Sequence, residues 1–319
     1  MISSSLKTGI TTSMCRTCSS IDTESCHLDV TLQKMGPSTK TDRVCANRLG
    51  ASVIIAEGTT RRPVKKAEPV SERPAQSTEV PFDYDSIPPG YYDEVFDRRR
   101  GIQSKWHHVK FEGVRRAMQR VGGNSVLDIG CGPGTFAAIL QDYDYTGVDL
   151  AAPQVEYATR KYGDARHQFI HASSTTLPVD DGQFDLVTSV EVIEHITAEQ
   201  GAQMLSEAFR VLRPGGHMVI TTPNYRSFWP VLEHLVSRLS PMDYVEQHIC
   251  HYTTPRLRRA LQQAGFASIR VRSFVHSAPF LAPLGWRFSS LVFGVEYRLL
   301  PFLGHTLLAT ARKPERAGG

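Results

Sequence analysis

The chain has 319 residues, 41% hydrophobic and 21% charged, with a formal net charge of +4. That length can bury a substantial core in one large domain or two smaller ones. So mild an excess of cations, without a concentrated basic patch, argues against a nucleic-acid partner. No stretch reaches the ~18 apolar residues that a membrane span requires. The six cysteines form no even framework, as expected for free thiols in a reducing, cytoplasmic compartment.

Residues 1–80 contain no Phe, Trp or Tyr and are rich in Ser, Thr, Pro and charge. Such a segment cannot bury enough apolar surface to offset chain entropy, and it reads as a disordered leader. Its start, MISSSLKTGITTSMCRTCSS, lacks the apolar core of a secretory signal. A transit peptide, or a true start at Met35, are the alternatives. Cys15, Cys18, Cys26 and His27 are zinc-ligand types, but a lone CxxC is a weak pattern.

Aromatic residues begin at Phe82, and residues 81–122 are expected to form an N-terminal helical cap. Trp106, Val109, Val114 and Met118 recur there near helical spacing. From residue 123 strands and helices alternate. NSVLDIG predicts a strand, FAAILQDY a helix, YTGVDL a strand and PQVEYATRKYG a helix. HQFIHAS and FDLVTSV read as strands and AEQGAQMLSEAFRVL as an amphipathic helix. GGHMVITTPN is a strand, TPRLRRALQQAGF a helix closed by Gly265, and ASIRVRSFV and HTLLATARK are strands. This order predicts an α/β fold, doubly wound and Rossmann-like, over residues 123–319. Two segments, about 225–252 and 276–303, break the alternation. They are expected to be helical cap insertions over a site at the carboxyl ends of the strands.

LDIGCGPGT places Gly130, Gly132 and Gly134 directly after a strand, where the backbone can turn sharply and approach a ligand. A dinucleotide fingerprint has the spacing GxGxxG; here it is GxGxG, with Thr135 in place of the third glycine. Asp128 precedes the loop and suits a cationic ligand better than a pyrophosphate. Asp149 ends the next strand, where a carboxylate can accept both ribose hydroxyls of a nucleoside.

On VLDIGCGPG, YTGVDL, LPVDDGQFDLVTSVEVIEHI, LRPGGHMVITTPN and HYTTPRLRRALQQAGF, the chain resembles the class I S-adenosylmethionine-dependent methyltransferases over about residues 123–273 plus the last strand. The resemblance implies a seven-stranded sheet with its last strand antiparallel. It implies S-adenosyl-L-methionine as cofactor, held by Asp128 and by the loop Gly130–Gly134, with Asp149 on the ribose and Leu150 beside it. Many relatives carry an acid where Ser173 stands, so adenine recognition is expected from the Ser173 hydroxyl and the Ser174 backbone.

Glu191, Glu194 and His195, in EVIEH, lie at i, i+3 and i+4. If Glu191 begins a helix, all three share one face. The plain reading is a helix start with acids at its positive end. The sharper reading follows from a second resemblance, to the ExxEH of ubiquinone-biosynthesis O-methyltransferases and small-RNA 2′-O-methyltransferases. It implies that Glu191 faces the cofactor and that Glu194 and His195 serve catalysis. It also implies a divalent ion (Mg²⁺, Mn²⁺ or Zn²⁺) held by Glu191, Glu194, His195 and His248, with His251 competing for the last place.

Together these readings predict a methyltransferase that O-methylates a small-molecule, glycan or lipid-like acceptor. RNA 2′-O-methylation is the first alternative, disfavoured by weak basicity. An NAD-dependent oxidoreductase is disfavoured by the glycine spacing, and a non-catalytic cofactor-binding protein by the intact loop, Asp149 and EVIEH. Trp106 and His107 are candidates to line the site, and His171 is expected to be packed. Arg98, Arg99 and Arg100 read as a solvated face or an anion contact. The apolar segment 278–303 is broken by prolines and charges, so it cannot span a bilayer, but peripheral membrane contact through it is expected as one option.

Overall fold

The computed structural model describes residues 44–46, 52–54, 87–232, 234 and 247–315. The chain divides into two compact units, Met1–Pro63 and Val64–Gly319. In the first, β1 (Val44–Ala46) pairs antiparallel with β2 (Ser52–Ile54). This pair lies inside the stretch expected to be a disordered leader, and it joins strand-forming Val44, Val53 and Ile54. The rest of the leader, including Cys15, Cys18, Cys26 and His27, lies outside the described residues.

The second unit opens with α1 (Tyr91–Asp97) and α2 (Gly101–Val121). The alternating elements follow: β3 (Ser125–Ile129), β4 (Asp144–Asp149), α3 (Ala152–Tyr162), β5 (His167–His171) and β6 (Phe184–Val190). Then come α4 (Ala198–Val211), β7 (Leu212–Pro223), α5 (Thr254–Gln263), β8 (Ala267–Phe274), α6 (Trp286–Leu299) and β9 (Thr306–Arg312). The strands form one seven-stranded sheet in the order β5-β4-β3-β6-β7-β9-β8. The pairs from β5 to β7 are parallel, and β9 runs antiparallel to both β7 and β8, as expected.

The central strands are buried on both sides, which is why their sequences read as continuous apolar runs rather than alternating ones. On one face α4 and α5 pack Met204, Leu205, Ala208, Leu257 and Leu261 against the sheet. On the other, α2 and α6 pack Val109, Val114, Met118, Phe293 and Tyr297. Within the 81–122 segment, α2 also completes the second core. FAAILQDY was expected to be a helix, but it yields only a 3-10 turn, Ala137–Ile139. Eight residues between a glycine loop and a strand leave too few turns to offset helix nucleation. His171 was expected to be packed. It is exposed instead, and its Nε2 meets the Leu150 carbonyl at 2.8 Å.

The start of this unit is tied to α3. Gln154 accepts from the Gly90 amide at 3.1 Å and donates to the Ile87 carbonyl at 3.1 Å. The fully buried Asp93 carboxylate accepts from the Tyr157 hydroxyl at 2.9 Å, the Tyr162 hydroxyl at 2.7 Å and the Lys161 ammonium at 2.5 Å. A buried carboxylate is tolerated only when hydrogen-bonded in this way. Asp93→Ala leaves two half-buried phenols and the Lys161 ammonium without their acceptor. Urea titration is expected to show unfolding made easier by ~2–4 kcal/mol.

Candidate active site

The strand order reverses direction at β3, and loops leaving adjacent strands there must separate. A crevice at the carboxyl edge results, the usual ligand site of an open α/β sheet. It is a cavity of about 980 Å³ whose walls include the ends of β3, β4, β6 and β7.

Its floor is the loop after β3. Gly130 has φ +77, and a Cβ there would stand 2.3 Å from Val192 Cγ2, so no larger residue fits. Gly132 has φ +51 and open space beside it, so its backbone faces the cavity directly. Gly134 differs from expectation. It is not on the cavity wall, and a Cβ there would press on Ala158 and Phe169 at 3.0 Å. Its place is the packing of the loop on α3 and β5.

Asp149 stands on the wall at the end of β4. Its Oδ2 accepts from the Gly132 amide at 2.7 Å and its Oδ1 from the Ala151 amide at 2.9 Å. Burial raises its pKa against those two amides. Leu150, Ser173 and Ser174 also line the cavity, beyond Asp149. The Ser173 hydroxyl already bonds the Thr175 hydroxyl at 2.8 Å and accepts from the Thr175 amide at 3.2 Å. Asp128 is buried at the wall, with Oδ2 accepting from the Tyr145 hydroxyl at 2.6 Å and Oδ1 from the Thr188 hydroxyl at 2.7 Å. Burial pushes its pKa up to about 6, opposed by these hydroxyls and reinforced by the Asp149 charge.

EVIEH does not begin a helix. Glu191 sits at φ +58, Ile193–His195 form one 3-10 turn, and α4 starts only at Ala198. A capping box fixes that start. The Thr197 hydroxyl accepts from the Gln200 amide at 3.2 Å, and the Gln200 side chain accepts from the Thr197 amide at 2.9 Å. The three side chains therefore share no helix face. Glu191 turns toward Lys110 of α2, whose Nζ lies 2.9 Å from its Oε2, and toward the Thr306 hydroxyl at 3.4 Å.

Glu194 and His195 instead meet His248. Their ligand atoms lie within 4.8 Å of one another, and Glu191 is not part of the group. His251 is the exposed neighbour. It stacks on Tyr225 at 4.0 Å and reaches the His248 carbonyl, while the Tyr225 hydroxyl meets His248 Nδ1 at 3.1 Å. Glu194 is fully buried behind the wall, so it does not face the cavity. Burial pushes its pKa up to about 8, with Glu191 raising it further and His248 lowering it. The Thr222 hydroxyl stands near enough to lower it slightly, yet neither carboxyl oxygen has a well-formed hydrogen bond. His195 is half-buried on the wall, with Nδ1 3.0 Å from the Gln247 carbonyl. Burial, then the His248 charge, lowers its pKa to about 3. The ring is neutral, and a proton on Nδ1 directed at a carbonyl puts the acceptor lone pair on Nε2.

Trp106 and His107 of α2 line the cavity, whereas His108 stacks on Phe96 at 3.8 Å outside it. Trp106 packs with Trp229 at 5.4 Å and with Phe280 at 6.1 Å, which brings both cap insertions to the site. Within the 225–252 insertion, residue 233 and residues 235–246 lie outside the described residues. Sequence reasoning missed Lys110, Tyr225, Trp229 and Gln247. Lys110 carried a signal, since it shares a helix face with Gly113 and Val114 on an arc that is otherwise small or apolar. The other three sit in a segment without a motif.

Two measurements test the donor end. Asp149→Ala is expected to weaken S-adenosylhomocysteine binding tenfold or more by calorimetry, with an unchanged circular dichroism spectrum. Asp128 makes the affinity depend on pH. Its raised pKa means the empty fold holds a proton that the unfolded chain has lost between pH ~4 and ~6. Ionising it costs the fold on the order of 3 kcal/mol, in full above pH 6. A cationic ligand favours the carboxylate, so affinity is expected to fall as pH drops below about 6. Asp128→Asn should flatten that profile.

A family model described as a methyltransferase domain matches residues 102–271, more than half of the chain. A Mycolicibacterium smegmatis protein named "Probable S-adenosylmethionine-dependent methyltransferase" is 32% identical over 180 residues, covering 56% of this chain and 62% of its own length. The demethylmenaquinone methyltransferase of Clavibacter sepedonicus is 32% identical over 205 residues, covering 57% of this chain and 83% of its own. The 27-O-demethylrifamycin SV methyltransferase of Amycolatopsis mediterranei is 31% identical over 225 residues, covering 60% and 78%. With the glycine loop, Asp149 and the antiparallel last strand in one structure, the chain belongs to the methyltransferase domain family, of the class I, S-adenosylmethionine-dependent type.

Proposed function

We propose that this protein moves the methyl group of S-adenosylmethionine to a hydroxyl of an apolar small-molecule or lipid-like acceptor, with His195 as the general base. The observation that carries the reading is one cavity holding both the Gly130–Gly132 loop with Asp149 and the His195 imidazole. The cofactor supplies a methyl already activated on a sulfonium. The protein must align an oxygen with it and take one proton. As the O–CH₃ bond forms and the S–CH₃ bond breaks, the hydroxyl proton passes to His195 Nε2. Gln247 holds the ring in the tautomer that accepts it. Glu194, one layer behind, positions the imidazole pair.

The acceptor end of the cavity is walled by Trp106, Trp229, Leu232 and Phe280. Among the described wall residues Lys110 is the sole Lys or Arg, and it pairs with Glu191. Such a wall favours an apolar acceptor over RNA, whose phosphates need several cations. One relative's name specifies a 27-O-demethyl acceptor, in keeping with oxygen as the target. Cys131 and Cys250 are buried free thiols, which suits a cytoplasmic setting.

A divalent ion is a second reading, favoured by the Glu194 carboxyl without hydrogen bonds beside His195 and His248. One carboxylate and two neutral imidazoles suit Zn²⁺ or Mn²⁺, which would lower the pKa of an acceptor hydroxyl. The 4.8 Å spread is wider than the ~3–4 Å expected for ligands about 2.1 Å from one ion, so the side chains would have to close in.

His195→Ala is expected to cut turnover of a labelled-methyl assay on lipid and small-molecule fractions ~10²–10⁴-fold. Its affinity for S-adenosylhomocysteine should stay within about twofold. Undiminished turnover would remove His195 from the chemistry. Chelation, with metal content measured in parallel, decides the second reading: an unchanged rate in metal-free protein ends it.

A further inference from the structure

The outer face of α6 is not explained by methyl transfer. Phe288, Leu291, Val295 and Leu299 are 50%, 67%, 50% and 68% exposed. They recur at i, i+3, i+7 and i+11, so they form one stripe along a helix about 21 Å long. Leu284 precedes the stripe, and Phe302 and Leu303 follow it; all three are also exposed. The opposite side of α6 is core, with Ser289, Phe293, Glu296 and Tyr297 buried. The helix is thus held firmly by one side and offers an apolar face on the other.

The charges that α6 itself exposes have one sign. Arg287 and Arg298 are exposed and flank the stripe on one side. The one acid of α6, Glu296, is buried, and its Oε1 accepts from the Ser277 amide at 3.0 Å. The start of α2 adjoins the start of α6, since Lys105 Nζ donates to the Trp286 carbonyl at 3.0 Å. Just before α2 come Arg98, Arg99 and Arg100, all exposed. Asp97, the acid beside them, pairs with Lys161 at 3.0 Å.

Other exposed apolar residues lie at the cavity itself. Ile102 and Phe280 are 42% and 36% exposed and line the cavity at the same time, while Phe228 and Val231 are exposed close by in the chain to the wall residues Trp229 and Leu232. No helix among the described residues is long and apolar enough to cross a membrane. An apolar stripe with cations at its flank, lying flat, matches instead a helix that rests in the headgroup region, where its arginines meet lipid phosphates.

We propose that α6, together with the arginines before α2, docks the protein on an anionic lipid surface, with the mouth of the methyl-transfer cavity beside that surface. A second copy of the chain is the competing occupant. It would bring Arg287 and Arg298 near their own copies across a two-fold axis, whereas anionic lipid complements them. The lipid surface needs no particular acceptor, so it stands or falls separately from the O-methylation reading.

The test is flotation of the full chain with vesicles of phosphatidylcholine alone or of phosphatidylcholine with 30% phosphatidylglycerol. Binding is expected to the anionic vesicles, weakened at least tenfold by Leu291→Glu with Val295→Glu, and weakened by salt and by Arg287→Glu with Arg298→Glu. The variants sit on the solvent side of α6. Their S-adenosylhomocysteine affinity reports that the fold and donor site are intact. Failure to bind either vesicle overturns the proposal, as does equal binding to both compositions or binding unaffected by the variants. Sedimentation showing a dimer that the Leu291/Val295 variant dissociates, without vesicle binding, assigns the face to a second copy instead.

Discussion

The part-buried ion pair between Lys110 and Glu191 joins the helix over the cavity to the end of the central strand below it. Glu191 holds a left-handed backbone, which costs a non-glycine residue roughly 1–2 kcal/mol. The pair at 2.9 Å, the Thr306 hydroxyl and the Glu191 amide on the Thr221 carbonyl offset that cost. The consequence is local and large. The chain leaves β6 by a sharp turn instead of running on into a helix, and the next four residues swing toward the 225–252 insertion. His195 meets His248 because Glu191 turns away from both.

This arrangement separates two kinds of charge within one cavity. At the donor end, Asp128 and Asp149 are carboxylates held by hydroxyls and amides, with no Lys or Arg in the contacts described. A positively charged ligand relieves that imbalance. At the acceptor end His195 and Glu194 are kept neutral by burial, with His195 pushed down to about 3 and Glu194 up to about 8. Burial keeps His195 unprotonated and able to accept a proton, at a cost in basicity. Several buried polar atoms near this end, Thr221 Oγ1, Gln247 Nε2 and Trp229 Nε1 among them, have no protein partner. Unpaired polar atoms are costly in a core and are common where a ligand completes the set.

The outer layers follow from the same economy of burial. α2 belongs to the core on one side and to the cavity on the other, so the sheet, the roof and the site cannot be separated. α1 depends on α3 through Asp93 and Gln154. α6 buries its inner face in the same core and leaves leucines and a phenylalanine outside, where no described element covers them. A soluble surface scatters such residues singly, and a stripe of them along one helix departs from that.

The sequence by itself determined the sheet, because strands buried on both faces announce themselves as short apolar runs between helical ones. It also located the glycine loop and the acid that line the cavity. A glycine loop after β3 and an acid at the tip of β4 act through backbone and strand position, which local sequence encodes. The roles of Gly134 and EVIEH did not follow from spacing. Gly134 is set by contact with Ala158 and Phe169, residues more than twenty positions away. The shape of EVIEH is set by Lys110 of another helix and by a capping box that delays α4. Trp106 and His248 were candidates from sequence, but the rest of that wall was decided by tertiary structure: Gln247, Trp229 and Phe280 come from distant segments whose sequences carry no common motif. They meet because the sheet brings its strand ends to one edge, and such side-chain neighbours, unlike a turn or a strand, leave no periodic mark in the chain.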